Sequence, residues 1–546
     1  MKARNRWCMA ATEASQPTRG AARVGGAGLV AAGILISRIL GFGRDAVLAH
    51  VLGTSSEQGA LRAALRIPNL LQNLFGEGAL SASFIPVYAR LRTEGRDAEA
   101  VRVAGAVFTL LALLSSIIVL IGVIWSAELV ALLTPGFSTE TRALTTVLVR
   151  IMFPGVGLLV MSAWCLGVLN SHRRFFLSYV SPVMWNVAII GFVVIGHRTS
   201  FADAARLVAW GAMVGSALQF AVQLPAVVSL VRGMRLSPAL DDANVRTVAR
   251  NFAPSLMSRG VLQVSSFVDL QFATMLSASA VGALSLAQTV TMLPVTLFGT
   301  AITAAALPAM SSVGGDGEAR NAALRLRLSA SQQRIAFFIV PSAAGFLTIG
   351  DAIAAALYRS GQFGAAQSTW LWSILAGASL GLLASTLARL YSSAFFALQD
   401  TATPLRFALV RVGVGIALAY VLGIRTPVWL GIDTRFGTAG LTLAAGIAGW
   451  CEFALLRSGL RQRIGALPPV LPLLLRLWGS AAVAAVVTWA VRAAWMGVTD
   501  VPHRLQAIVL LAVFALAYGA MTLALGIPEA TAVWSRVRRV AGSHGS

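Results

Sequence analysis

Two arginines and an aspartate interrupt an otherwise apolar run near the start of the chain, Ser37-Arg38-Ile39-Leu40-Gly41-Phe42-Gly43-Arg44-Asp45. Read as a helix rising 1.5 Å per residue, the arginines stand ~9 Å apart along the axis. Asp45 follows Arg38 by two turns and shares its face, while Arg44 points about a third of a turn away. A guanidinium is always charged and offers a planar fork of donors, which suits a phosphate presenting two oxygens at once. Charge inside a membrane helix costs roughly 2.5–3.5 kcal/mol on insertion scales, so an arginine retained there needs a partner, a wet cavity or a substrate. Phosphate binding is the chemistry this run favours. The alternative pairs Arg38 with a carboxylate elsewhere in the bundle and leaves Arg44 and Asp45 at the outer interface.

A second polar set follows. Arg62, Arg66, Asn69, Asn73 and Glu77 recur at helical spacing and make one stripe, with Pro68 inside it as a kink. Such a stripe faces water or protein rather than lipid. Arg62 is equally compatible with snorkelling at the outer end, and Glu77 with pairing to Arg38 or with a coupling role. Further on, Arg259 and Asp269 stand about a quarter-turn apart around one helix. Arg259 is a further candidate phosphate contact, or else the partner of a bundle carboxylate.

These residues belong to elements that cross a membrane. The chain has 546 residues, 57% hydrophobic and only 12% charged, with a mean hydropathy of +0.77, which excludes an ordinary soluble domain. Charge-free runs such as Val103 to Ser126 and Leu207 to Val231 are long enough to cross a hydrocarbon core of ~30 Å. Scanning for such blocks gives about fourteen spans, the first near residues 25–52, the second 61–90, the seventh 248–275 and the eighth 281–310. The first, second and eighth are broken by Gly, Pro, Asn or charge, so hydropathy alone is expected to miss them. The net charge of +22 comes from arginines gathered in alternate short loops, including Arg90 to Arg102, Arg232 to Arg250 and Arg457 to Arg463. The positive-inside rule then accounts for the charge without nucleic acid and places both termini in the cytoplasm. The polar N-terminus, Met1 to Arg23, leads into an apolar run without a small-residue cleavage site, so the first span is expected to be retained.

Landmarks recur in order at nearly one offset. Leu74-Phe75-Gly76 with Ile85-Pro86 matches Leu297-Phe298-Gly299 with Leu307-Pro308. Leu133-Thr134-Pro135-Gly136-Phe137 matches Tyr358-Arg359-Ser360-Gly361-Gln362-Phe363, and the loop at Asn170 matches that at Asp400. Two homologous six-span halves follow, parallel because six crossings preserve orientation. The expected organisation is a cytoplasmic tail (1–24), an N-lobe (25–231), a cytoplasmic linker (232–250), a C-lobe (251–460), two extra membrane helices (461–530) and a cytoplasmic tail (531–546). Two bundles facing one cavity suit transport by alternating access.

Catalytic chemistry finds no support. Metal-binding carboxylate pairs, a histidine cluster, a Walker loop and a Gly-x-Ser-x-Gly elbow are all missing from the sequence. Cys8, Cys165 and Cys451 are far apart, which argues against a disulfide framework. The reading is an all-α polytopic transporter without metal or cofactor, driven by a gradient, the membrane potential or substrate flux.

The run Ser37 to Asp45, then Ile67-Pro68-Asn69-Leu70-Leu71, Phe75-Gly76-Glu77-Gly78-Ala79-Leu80-Ser81 and Phe84-Ile85-Pro86, resembles the MurJ (MviN) family of lipid II flippases. Leu307-Pro308, Tyr358 to Phe363 and Ala397-Leu398-Gln399-Asp400-Thr401-Ala402-Thr403-Pro404 extend the match to about residue 460. The resemblance implies the MOP exporter fold of two six-helix lobes plus two C-terminal helices that form a groove for a lipid tail. It implies lipid II as the substrate, an undecaprenyl-pyrophosphate bearing a disaccharide-pentapeptide, flipped from the cytoplasmic to the periplasmic leaflet of the inner membrane. It also implies cavity roles for Arg38 and Arg44, and membrane lipids and cell-wall synthesis proteins as partners. The sequence departs from the family at Gln72 and Thr289, where basic residues are usual, and at Gly59, where an acidic one is; Arg66 and Arg259 are the expected substitutes for the lost charge. Two other readings stay open: a flippase for another polyprenyl-linked glycan, and a transport-inactive scaffold for cell-wall synthesis.

Overall fold

The computed structural model describes residues 21–71, 73–74, 79–312, 317–495 and 502–542. Among these residues all extended regular structure is helical. The first half contains α1 (Ala21–Leu52), α2 (Ser56–Leu71), α3 (Ser81–Thr93), α4 (Asp97–Ile124), α5 (Ser126–Leu133), α6 (Thr139–Ser171), α7 (Phe175–Val180), α8 (Pro182–Gly196) and α9 (Phe201–Leu230). The second half contains α10 (Ala243–Leu276), α11 (Ala278–Pro294), α12 (Ala301–Ser311), α13 (Gly317–Tyr358), α14 (Ala365–Ala397), α15 (Ala402–Leu418), α16 (Thr426–Trp429) and α17 (Gly437–Ile464). After these come α18 (Leu471–Trp495), α19 (His503–Ala524) and α20 (Pro528–Gly542).

Helix starts are written into the sequence as short polar caps. The Ser138 hydroxyl accepts from the Thr141 N–H, Ser200 from Asp203, Ser277 from Ala280, and the Asp242 carboxylate from Asn244 and Val245. Each satisfies one or more donors that the first helical turn leaves without partners. The outer faces are apolar. On α4 the stripe Leu113, Ile117, Leu120 and Ile124 is exposed, while Ala100, Val103, Ala104 and Val107 pack inward. This inversion of a soluble helix is what a lipid solvent selects.

Eleven described helices are long and apolar enough to cross a membrane. The chain is a multi-pass membrane protein. The expected count of fourteen is not reached among the described residues; α10, of 34 residues, has the length but not the apolarity, and the α2–α3 stretch is polar. One expectation is corrected: the eighth span, Ala278–Ser311, meets the criterion, and it is the seventh, α10, that falls short. Polarity in α11 and α12 comes from uncharged Ser, Thr and Gln, whereas α10 carries Arg246, Arg250, Arg259 and Asp269.

Two matched landmarks become matched distortions. The backbone winds as a π turn at residues 73–74 and 79–80, and again over Val295–Thr300; Phe75 and Gly76 of the first landmark lie outside the described residues. A π turn is rare and clusters at functional positions. The matched loops also behave alike. Gly136, between α5 and α6, lies against the Thr274 backbone at the end of α10, where its N–H is 3.5 Å from the Thr274 hydroxyl. Gly361, between α13 and α14, lies against the end of α1, where the Gln362 N–H donates to the His50 carbonyl at 2.9 Å. Each half therefore closes over the first helix of the other. Gly361 has φ +55° and a Cβ there would stand 2.3 Å from the His50 carbonyl oxygen, so glycine is needed on both counts.

α2 and α11 cross between these loops. A Cβ on Gly59 would fall 1.9 Å from the Ala278 carbonyl oxygen, and Gly282 packs on the Gln58 side chain. A seam of Ala63, Phe137, Leu270, Ala273, Val281 and Ala444 joins the halves there. α10 bridges them along its length, since Val245 and Val248 pack in the first half with Val103 and Leu111.

Candidate substrate cavity

Asp45 is the hub of the charged residues at this closed end. It is 2% exposed, and its Oδ1 receives Arg44 Nη2 at 2.8 Å and Arg62 Nη1 at 3.0 Å. Its Oδ2 accepts from the Thr289 hydroxyl of α11 at 2.9 Å. One buried carboxylate thus balances two cations of the first half and ties them to the second. Arg62 is buried rather than snorkelling, and its Nε and Nη2 have no partner among the described residues. Arg44 is equally committed: Nη1 donates to Asn186 Oδ1 at 3.2 Å, and Cζ stands 5.1 Å from the centre of the Trp185 ring.

Beyond this hub a cavity of about 290 Å³ opens among the helices of the second half, and Arg66 of α2 reaches its edge from the first half. Arg66, Asp269, Gln288, Arg389 and Arg411 supply its charged and amide lining, with aliphatic residues of α11, α14, α15 and α17 between them. Arg66 Nη1 is 3.4 Å from Gln288 Oε1, and Asp269 lies within electrostatic reach of Arg66 and Arg411. Asn69 continues the α2 face by a turn, and Asn73 lies beyond the helix in the π turn, both exposed.

The expected site residues are therefore divided. Arg44, Asp45 and Arg62 form the hub, and Arg66 and Asp269 line the cavity. Arg38 is exposed on α1 and has no hydrogen bond or ion pair among the described residues. Arg259 falls on α10 with its side chain outside the described residues, and Glu77 lies outside them altogether.

A family model for lipid II flippase MurJ matches residues 48–509. The chain belongs to the MurJ family. A lipid II flippase MurJ of Burkholderia cenocepacia is 30% identical over 437 residues, 79% of this chain and 82% of the relative. A probable lipid II flippase MurJ of Rhizobium meliloti is 30% identical over 471 residues, 84% and 82%. Among solved structures, a MurJ in an inward closed conformation covers 90% of this chain and 98% of its own, with TM-score 0.75 and 21% identity. An inward-facing MATE family transporter of the MOP superfamily covers 78% and 94%, with TM-score 0.63 and 16% identity. The last two likenesses concern the fold alone.

The departures from the MurJ family pattern have physical counterparts. At Gly59 the α2–α11 crossing leaves no room for an acidic side chain in this arrangement. Thr289, where the resemblance leads one to expect an arginine, donates its hydroxyl to Asp45, and Arg44 with Arg62 supplies the balancing charge. Gln72 lies outside the described residues.

Sequence reasoning passed over Trp185 and Asn186, whose residue types carry no distinctive signal, and over Arg389, Arg411 and Glu452. The last three were detectable, because each is a charge inside an apolar span and meets the criterion that selected Arg38 and Arg44.

Proposed function

We propose that this chain carries lipid II from the cytoplasmic to the periplasmic leaflet of the inner membrane by alternating access. The observation that carries the reading is a cation-lined cavity in a MurJ-family chain, walled by the second half and reached from the first by Arg66. The pyrophosphate is met by Arg66 within the cavity and by Arg38, Arg44 and Arg259 as the lobes move, while Asp45, Arg62, Asn69, Asn73, Glu77 and Asp269 form the polar surround. Both termini are cytoplasmic and the closed end is periplasmic. The N-lobe (25–231) and C-lobe (251–460) move against each other about the linker 232–250, and the tail runs outside along the hairpin within 461–530. Cell-wall synthesis proteins receive the product.

A cavity of about 290 Å³ is at the small end of those that hold drug-sized ligands. A disaccharide-pentapeptide is larger, so the lobes must part further to admit it. In cells depleted of their own flippase, this chain is expected to restore growth and lipid II at the outer leaflet, and Arg44→Ala to lower that transport about tenfold or more. A chain that inserts normally yet restores neither overturns the reading and favours a scaffold. The departures at Gln72 and Thr289 favour a second reading, a flippase for another polyprenyl-linked glycan, which a parallel binding assay with that lipid separates.

A further inference from the structure

We infer that Arg389 and Arg411 form an oxyanion-binding subsite on the second-half wall of the cavity, with Glu452 as their incomplete counter-charge. The inference deepens the proposed function and rests on it.

Each of the three charges lies within a helix that counts as a membrane span: α14, α15 and α17. Each carries the insertion cost noted for Arg38, so a compensating interaction is required. The internal compensation is incomplete. Glu452, 8% exposed, receives, among the described residues, only Arg411, with Oε2 3.4 Å from Nη1. Arg389 makes no hydrogen bond or ion pair among the described residues, although it feels both the attraction of Glu452 and the repulsion of Arg411. Arg389 and Arg411 line the cavity, whereas Glu452 is not part of its lining. Among the described residues the charged lining is thus three arginines, 66, 389 and 411, against the single carboxylate of Asp269.

Two neighbouring cations sharing one recessed carboxylate make a site that gains from an added anion. Arg389 is exposed and has its donor fork uncommitted, the condition for bidentate binding of phosphate or carboxylate. Arg44, by contrast, is already tied to Asp45, Asn186 and Trp185. In this conformation the cations available to a substrate in the cavity include these two on the second half, with Arg66 of α2 reaching in from the first. Lipid II offers oxyanions of both kinds, on its pyrophosphate and on its peptide.

Binding to the purified full-length protein in nanodiscs tests the subsite, using lipid II, undecaprenyl pyrophosphate without sugar or peptide, and a soluble disaccharide-pentapeptide without phosphate. Arg389→Gln/Arg411→Gln is expected to weaken lipid II binding by about tenfold to a hundredfold. Loss shared with undecaprenyl pyrophosphate assigns the phosphates, and loss shared with the soluble peptide assigns its carboxylates. Arg389→Lys/Arg411→Lys is expected to recover part of the affinity. Glu452→Gln, which removes the carboxylate that competes with the added anion, is expected to bind lipid II more tightly, a gain that a purely structural ion pair does not predict. Arg198→Gln, on an exposed loop, is the control. A folded double variant, judged by its unfolding temperature, that binds lipid II like the parent overturns the subsite and leaves the flippase reading intact. If the double variant does not fold, the single Arg389→Gln, which breaks no ion pair, decides with a loss of about tenfold or none. A parent chain that binds neither lipid overturns both.

Discussion

At the scale of single residues, Asp45 concentrates the most electrostatic consequence. It neutralises Arg44 and Arg62 and takes the Thr289 hydroxyl from across the seam. Breaking a buried pair by removing one charge strands the other, at about 3–5 kcal/mol. Asp45→Asn is therefore predicted to lower the unfolding temperature in detergent strongly, and Thr289→Val, which removes one hydrogen bond to a charged group, to cost about 1.5 kcal/mol. Equal effects from the two would show that Asp45 acts through that hydrogen bond rather than through its charge. His172, in the loop after α6, makes a different prediction. Its Nε2 is 3.0 Å from the Tyr88 hydroxyl; burial, then the charges of Arg92 and Arg174, hold the imidazole below its ordinary value of 6.5. The unfolded chain then binds more protons than the native one below that value. The native contact contributes fully above pH 6.5 and loses its contribution as pH falls towards the lower native pKa. His172→Gln should flatten the acid side of the thermal-stability profile, and parallel profiles for parent and variant would exclude this role.

At the scale of elements, the crossing of α2 and α11 sets which end of the cavity is shut. A Cβ built on Gly282 stands 3.7 Å from the Cβ of Gln58, within the range of about 3.5–4.5 Å that a disulfide spans. Gln58→Cys with Gly282→Cys is predicted to cross-link under mild oxidation, abolish transport and regain it on reduction. Free turnover in the oxidised protein would show that the two helices need not separate. This crossing also marks the limit of what the sequence made legible. Charge inside an apolar run exposed the α1 and α2 residues, because its cost is local and can be read one helix at a time. Glycine at position 59 reads as a lost acid until the carbonyl of Ala278 is seen beside it, and Thr289 reads as a lost arginine until its hydroxyl is found on Asp45. Both meanings lie in a partner helix more than two hundred residues away. Arg389, Arg411 and Glu452 were open to the local criterion and were hidden only by the apolarity of their helices. The ranking of spans seven and eight failed because proline, glycine and amides interrupt a pattern without adding much polarity, whereas the charges of α10 do.

At the scale of the whole molecule, the repeat was legible as landmarks at one offset, and the structure adds matched π turns and exchanged loops. The C-terminal hairpin was legible only as what remained outside the duplication. It packs on α13 through Leu477, Ala481, Leu510 and Phe514; Tyr518 donates to the Phe337 carbonyl at 3.0 Å, and Arg492 grips Asp351 at 2.6 and 3.0 Å. With the packing intact, Asp351→Ala is predicted to cost only about 1 kcal/mol, whereas Phe514→Ala should cost about 3 kcal/mol or more; the reverse order in unfolding measurements would mean that charge, not packing, fastens the hairpin. The exchanged loops bear on leak. A transporter that opens by accident discharges ion gradients, and one latch fails as often as it unfastens. Here the Gly136 loop and the Gly361 loop each hold the opposite half, so an accidental opening needs both released together. If each is loose a small fraction of the time, both are loose for the product of those fractions, and a shut end built from two weak clasps is far tighter than either clasp alone.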